Sequence, residues 1–187
     1  MNKLIIYIIL SLSLISSAEI NGNGTTAANF LEMDIGSAAT SMGGAYVSVA
    51  NDVSSAYWNP AGLAFVHNRQ AMFMYQPWVV GINNLYTGFA INYHSYGTLA
   101  LTMNYMDFGN EAVTTVSDPE GTGEFYSASE FAASVSYAKR LVNWFAFGAT
   151  AKYISSSIWH MDASAMAVDL GVLVTTDFFS VTGKRNQ

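Results

Sequence analysis

Five stretches of this chain alternate apolar and polar residues with the two-residue period of a β-strand. In 98–106, TLALTMNYM, one face carries Leu99, Leu101, Met103 and Tyr105, and the other Thr98, Ala100, Thr102 and Asn104. In 130–138, EFAASVSYA, Phe131, Ala133, Val135 and Tyr137 oppose Ala132, Ser134, Ser136 and Ala138. In 144–153, WFAFGATAKY, Phe145, Phe147, Ala149, Ala151 and Tyr153 oppose Ala146, Gly148, Thr150 and Lys152. Residues 86–94 alternate through Phe89, Ile91 and Tyr93, and residues 164–174 through Met166, Val168, Leu170 and Val172. Fainter candidates lie at 69–76 and 177–182. The pattern predicts an all-β region over 67–187 with six or seven antiparallel strands.

The period alone does not separate a membrane β-barrel from a soluble sandwich or propeller. The second face does. A sandwich packs its bulky face inward and sets charges outside, whereas here the other face is Ala, Ser, Thr, Gly and Asn, which suits an enclosed lumen. A cation on the lipid face at midplane costs about 2–4 kcal/mol, falling to about 0–1 at the interface. Lys152 and Asp169 lie within strands and fall by parity on the small-residue, lumen side. Asp107 and Lys139 fall on the apolar face, but only at strand ends. Tyr93, Tyr105, Tyr137 and Tyr153 are each the last large outward residue of their strand, as an interfacial girdle requires. Residues 95–97 and 139–143 read as tight turns, 154–163 as an intermediate loop and 107–129 as a long acidic one. If the short turns are periplasmic, the loop bearing Glu111, Asp118, Glu120 and Glu124 faces outside.

Composition agrees. Of the 187 residues 51% are hydrophobic and 11% charged, against about 25% charged in ordinary soluble domains. A spanning helix needs about 20 consecutive apolar residues, and only the N-terminus approaches that. There Lys3, the apolar run Leu4–Ile15 and Ser16-Ser17-Ala18 form the three parts of a signal peptide over 1–18, with a signal anchor as the alternative. The expected location is therefore the bacterial outer membrane, with membrane lipid as the first partner. The formal charge of −6 argues against nucleic acid. With no cysteine there is neither a disulfide framework nor a lipid-attachment site.

Catalytic chemistry is sparse. His67, His94 and His160 are scattered without metal-ligand spacing, and His160-Met161-Asp162 reads as a solvated loop. No Gly-x-Ser-x-Gly elbow or phosphate-cradling loop occurs. An enzyme, a metal and a cofactor are not expected.

Residues 19–66 differ in texture: they are rich in Gly and small residues, with a short helix expected near 26–33 and a short strand at 45–50. Within them, SSAYWNPAGLAF (54–65) sets Trp58 beside Pro60 and Gly62, a run suited to neither helix interior nor central strand. The stretch MGGAYVSVANDVSSAYWNPAGLA (42–64) resembles the opening signature of the PorV/PorQ family of outer-membrane proteins, relatives of FadL-type barrels. The matching positions are Met42, Gly43, Gly44, Ala45, Tyr46, Asp52, Trp58, Asn59, Pro60, Ala61, Gly62 and Leu63. AFGATAKYI (146–154) and AVDLGVLV (167–174) are similar to family strands.

The resemblance implies that 19–66 is a plug inside the barrel. An ordinary buried turn before the first strand is the plainer alternative. Residues 37–41 are Ser-Ala-Ala-Thr-Ser where relatives often carry arginine, so Asp52 is expected to lack a cationic partner. Such barrels have about 14 strands, so the chain reads as their N-terminal portion; a complete eight-stranded barrel is the alternative. Two functions follow from the resemblance: an accessory of type IX-like secretion that meets secretion components or exported proteins, or a passive transporter of hydrophobic small molecules. A secreted sandwich-type binding protein stands as the third.

Overall fold

The computed structural model describes residues 28–175. The signal-peptide reading of 1–18 and the faint strand at 177–182 lie outside the described residues.

Six strands form one antiparallel sheet in chain order: β1 Arg69–Pro77, β2 Asn83–Asn92, β3 Thr98–Ala112, β4 Phe125–Val142, β5 Phe145–Ile158 and β6 Met161–Val174. β1 and β6 are its edges. The strands outrun their side-chain alternation. The expected loop at 154–163 is mostly ladder, since Ser155, Ser156 and Ser157 pair with Ser164, Ala163 and Asp162. Trp159 and His160 alone make that turn, while Met161 and Asp162 already belong to β6. Likewise β4 continues to Val142, and the 107–129 loop shrinks to 113–124. Backbone pairing continues wherever N–H and C=O groups find partners.

The β3–β4 hairpin extends furthest. β2 pairs with β3 only as far as Asn83↔Asp107, and β4 first meets β5 at Ala128↔Ile158. Past these limits the ladder is that of β3 with β4, through a register shift between Asp107 and Asn110 and on to Ala112↔Phe125, with one further bond from the Trp159 N–H to the Ser127 carbonyl at 2.9 Å. At about 3.3 Å per residue this ribbon rises roughly 15 Å past its neighbours.

Burial is inverted relative to a soluble sheet. Leu101 is 60% exposed, Val168 72% and Leu170 72%. Ala90, Ala100, Ala138, Ala146, Ser136 and Thr150 on the opposite face are buried. They are covered by the N-terminal segment, whose Val53, Ala56, Leu63 and Val66 join Ala90, Ala100 and Ala138 in one apolar cluster. A second cluster sets Phe30 on Met106 and Ala132.

The segment itself departs from expectation. The short strand at 45–50 is absent: Val49 and Ala50 both donate to the Tyr46 carbonyl at 3.0 Å, which coils the chain into turns. Near 26–33 the helix is a single 3-10 turn, Asn29–Glu32. Two short helices occur that alternation does not reveal, α1 Ser37–Ser41 and α2 Ser55–Trp58.

The four girdle tyrosines all lie exposed on the bulky face. Tyr93 and Tyr137 sit at the end bearing the 93–97 and 143–144 turns, and the Tyr137 hydroxyl donates to the Tyr96 carbonyl at 2.5 Å. Tyr105 and Tyr153 lie toward the other end. Tyr137 is level with Leu99, six residues before Tyr105. That separation, about 20 Å along a strand, compares with an apolar band about 25 Å tall in outer-membrane barrels.

Leu101 lies between these rows, so Leu101→Lys should lower stability in lipid vesicles by about 2–4 kcal/mol. Tyr137→Lys, at the rim, should cost at most about 1 kcal/mol. Urea titration of the vesicle-folded protein measures both.

Candidate functional site

The Trp-Asn-Pro-Ala-Gly run joins two helical turns. Helix α2 ends at Trp58, and Pro60 opens a 3-10 helix over Pro60–Phe65. Proline suits a first helical position because its missing N–H has no partner to lose there. Asn59 is the cap between them. Its Oδ1 accepts from the Ala61 N–H at 3.1 Å, while Nδ2 donates to the Val47 carbonyl at 3.1 Å and to the Val172 carbonyl of β6 at 3.2 Å. One buried amide thus closes the turn, ties it to an earlier part of the segment and fastens it to the sheet.

Under this turn the sheet has a notch. Gly148 of β5 and Gly171 of β6 are register partners. A Cβ on Gly148 would overlap the Pro60 carbonyl carbon, and one on Gly171 would overlap Asn59 Oδ1. Glycine inside a strand weakens it; here two opposed glycines admit another backbone. Gly88 of β2 repeats the device more weakly, a Cβ there falling 2.6 Å from Val53 Cγ1. Gly62 is packed in the same way within the segment, against the Ala50 carbonyl and Ser55.

Trp58 acts inside the segment. Its Nε1 donates to the Ile35 carbonyl at 2.8 Å, and its ring meets Tyr46 and Tyr57 edge-on, with centroids 6.1 and 5.6 Å away. The Tyr57 hydroxyl donates to the carbonyls of Leu31 and Met33, the latter at 2.8 Å. Burial, reinforced by the carboxylate of Asp34, raises the Tyr57 phenol above its ordinary pKa and keeps it a donor. Among the described residues Asp52 has no cationic partner, and hydroxyl and amide donors serve it. Its Oδ1 accepts from Ser54 N–H at 2.8 Å and Ser54 Oγ at 2.5 Å, and Oδ2 accepts from Tyr46 at 3.4 Å. Gly43 and Gly44 turn the chain at φ of 62° and 80°, the left-handed region glycine enters without a steric penalty. α1 occupies 37–41, the Ser-Ala-Ala-Thr-Ser stretch that holds no arginine.

Lys152 and Asp169 both lie on the covered face and pair with each other, Nζ to Oδ2 at 2.5 Å. Lys152 Nζ also stands 5.7 Å from the Tyr57 ring centroid. A charge inside the sheet therefore meets its opposite and an aromatic face, and little net charge is presented.

Of the motif residues, Trp58, Asn59 and Pro60 line one pocket with Lys152 and Asp169; Asp52 is bonded apart from them, to Tyr46 and Ser54, Gly62 packs against Ala50 and Ser55, and Gly44 lies beside Asp34. Tyr57, Gly88, Gly148 and Gly171 were not singled out by sequence reasoning. For the glycines a signal existed, since an isolated Gly inside an alternating strand marks a bulge or a close backbone approach.

A family model described as type IX secretion system protein PorV matches residues 16–181. No curated protein matches the chain.

Gly148→Ala should unseat Pro60 and cost about 1–3 kcal/mol, the range for overpacking. Protease should then cut within 28–66 faster while the strands stay protected. Trp58→Phe keeps the ring but orphans the Ile35 carbonyl, with an expected loss of about 1–3 kcal/mol in the same urea titration.

Proposed function

The chain belongs to the PorV family of type IX secretion system proteins, and on that premise we propose that it serves secretion at its loop-bearing rim. In this reading the bulky face meets outer-membrane lipid and residues 28–66 plug the lumen. The rim that carries the β3–β4 ribbon engages secretion components or exported proteins.

The observation that carries the reading is the pairing of a covered inner face with a projecting outer ribbon. Where the segment sits on the Gly148–Gly171 notch and Ala100, Ala138 and Ala146 are buried, passage along the inner face is obstructed. Function then falls to the rim. There the ribbon presents Phe125 at 66% exposure, together with Val116 and Tyr126, amid the acidic residues Glu111, Asp118, Glu120 and Glu124. Beyond the Trp159–Ser127 bond the ribbon has no neighbouring strand among the described residues, and such a ribbon offers backbone groups to a partner strand.

A second reading rests on a different feature. Phe30, Met33, Trp78, Ile82, Met106 and Phe108 line a cavity of about 270 Å³ at the ribbon end, between the segment and the wall. A mainly apolar cavity with one carboxylate, Glu130, in its lining suits a hydrophobic small molecule entering from that side.

Replacing loop 113–124 with a two-residue turn should abolish co-purification of exported proteins from cells while leaving the protein folded in the membrane. Retained secretion and retained co-purification in that variant would overturn the rim assignment. Deleting 28–66 in the membrane-embedded protein should raise single-channel conductance; unchanged conductance would count against the plug.

A further inference from the structure

Two of the three histidines, dispersed in the sequence, converge at the short-turn end. Asn92 brings them together. Its backbone N–H donates to the Asn68 carbonyl at 2.7 Å, and its side-chain amide donates to the Val66 carbonyl at 2.6 Å. Its Oδ1 accepts from the His94 N–H at 2.7 Å. The crossover carrying His67 is thereby laid against the β2–β3 turn carrying His94. Both Asn68 and His94 hold left-handed backbone, at φ of 55° and 50°, an uncommon conformation for non-glycine residues.

Arg140 reaches the same place from β4. It follows Ala138 on the inner face, and its guanidinium lies over the Phe65 ring, 5.6 Å from the centroid. His67, His94 and Arg140 line one cup of about 340 Å³ together with Asn68, Asn92 and Thr98. Among the described residues no carboxylate lines it. Thr98 is fully buried in that lining, and among the described residues its Oγ1 has no hydrogen-bond partner. A buried hydroxyl without a partner is unfavourable, and a ligand group seated in the cup would supply one.

We propose that this cup binds a phosphate group, free or on a lipid headgroup, between Arg140, the two imidazoles and the Thr98 hydroxyl. The chemistry follows from the donor set. Guanidinium forks onto phosphate oxygens, imidazole N–H groups add directed donors, and the lining has no anion to repel the ligand. The set disfavours a metal cation, because a fixed guanidinium stands beside the imidazoles. Arg69 and Lys139 add positive charge on the outer face of the same end, which raises local anion concentration. The proposal does not rest on the secretion reading.

The test uses the full chain in detergent and in nanodiscs. In detergent, inorganic phosphate is titrated by calorimetry. In nanodiscs, phosphatidylglycerol is compared with phosphatidylcholine, and bound lipid is counted by mass spectrometry. Saturable phosphate binding in detergent assigns a free ligand; selective retention of phosphatidylglycerol alone assigns the headgroup. Arg140→Met with His94→Gln should weaken either by about tenfold or more, whereas Arg140→Lys should keep part of the affinity. Thr98→Val should weaken it a few-fold; unchanged affinity in that variant would remove the hydroxyl from the site. Binding in neither arm, or binding that the double variant leaves unchanged while its circular dichroism is native, overturns the proposal.

Discussion

Contact between the small-residue face of the sheet and the N-terminal segment is the interaction on which the rest of the structure depends. Among the described residues the bulky side chains of β3, β5 and β6 point away from the segment packed on the sheet, so they add little to an internal core. Cohesion comes instead from Ala90, Ala100 and Ala138 against Val53, Leu63 and Val66, and from the Gly148–Gly171 notch beneath Pro60. Small residues permit this because dispersion is short-ranged: a wall without side-chain bulk lets a backbone approach to contact distance. Asn59 then makes the approach specific, joining a turn of the segment to Val172 of β6.

The outward face is a different matter. Leu101, Val135, Leu170 and Val172 lie exposed on it, a liability in water that the proposed contact with lipid would remove, provided that backbone groups in such a layer are paired within the protein. The interior ladders pair theirs, while β1 and β6 are the edges of the described sheet. Beyond Tyr153 serines follow in β5, and the β3–β4 ribbon projects past its neighbours.

Charge is divided between the two ends. His67, Arg69, His94, Lys139 and Arg140 gather at the short-turn end, and Asp107, Glu111, Asp118, Glu120, Glu124, Glu130 and Asp162 at the other. Between them Lys152 and Asp169 neutralise each other on the covered face. A charge on an outward, lipid-facing position would be costly; the two mid-strand charges instead lie on the covered face and pair with each other.

Strand positions, the orientation of each face and the exposure of Tyr93, Tyr105, Tyr137 and Tyr153 on the bulky face were legible in the sequence, because parity along a strand is local. Trp58-Asn59-Pro60 was legible as a special turn, since proline and glycine restrict the backbone wherever they stand. The upper parts of β5 and β6 were not, because Ser155–Ser157 carry no apolar signal and their pairing is a matter of backbone groups alone. The glycine notch, the bond from Asn59 to Val172 and the meeting of His67, His94 and Arg140 were decided by tertiary structure. Each depends on inter-strand register and on where a separate segment lies, and such distances between remote parts of a chain leave no periodic trace along it.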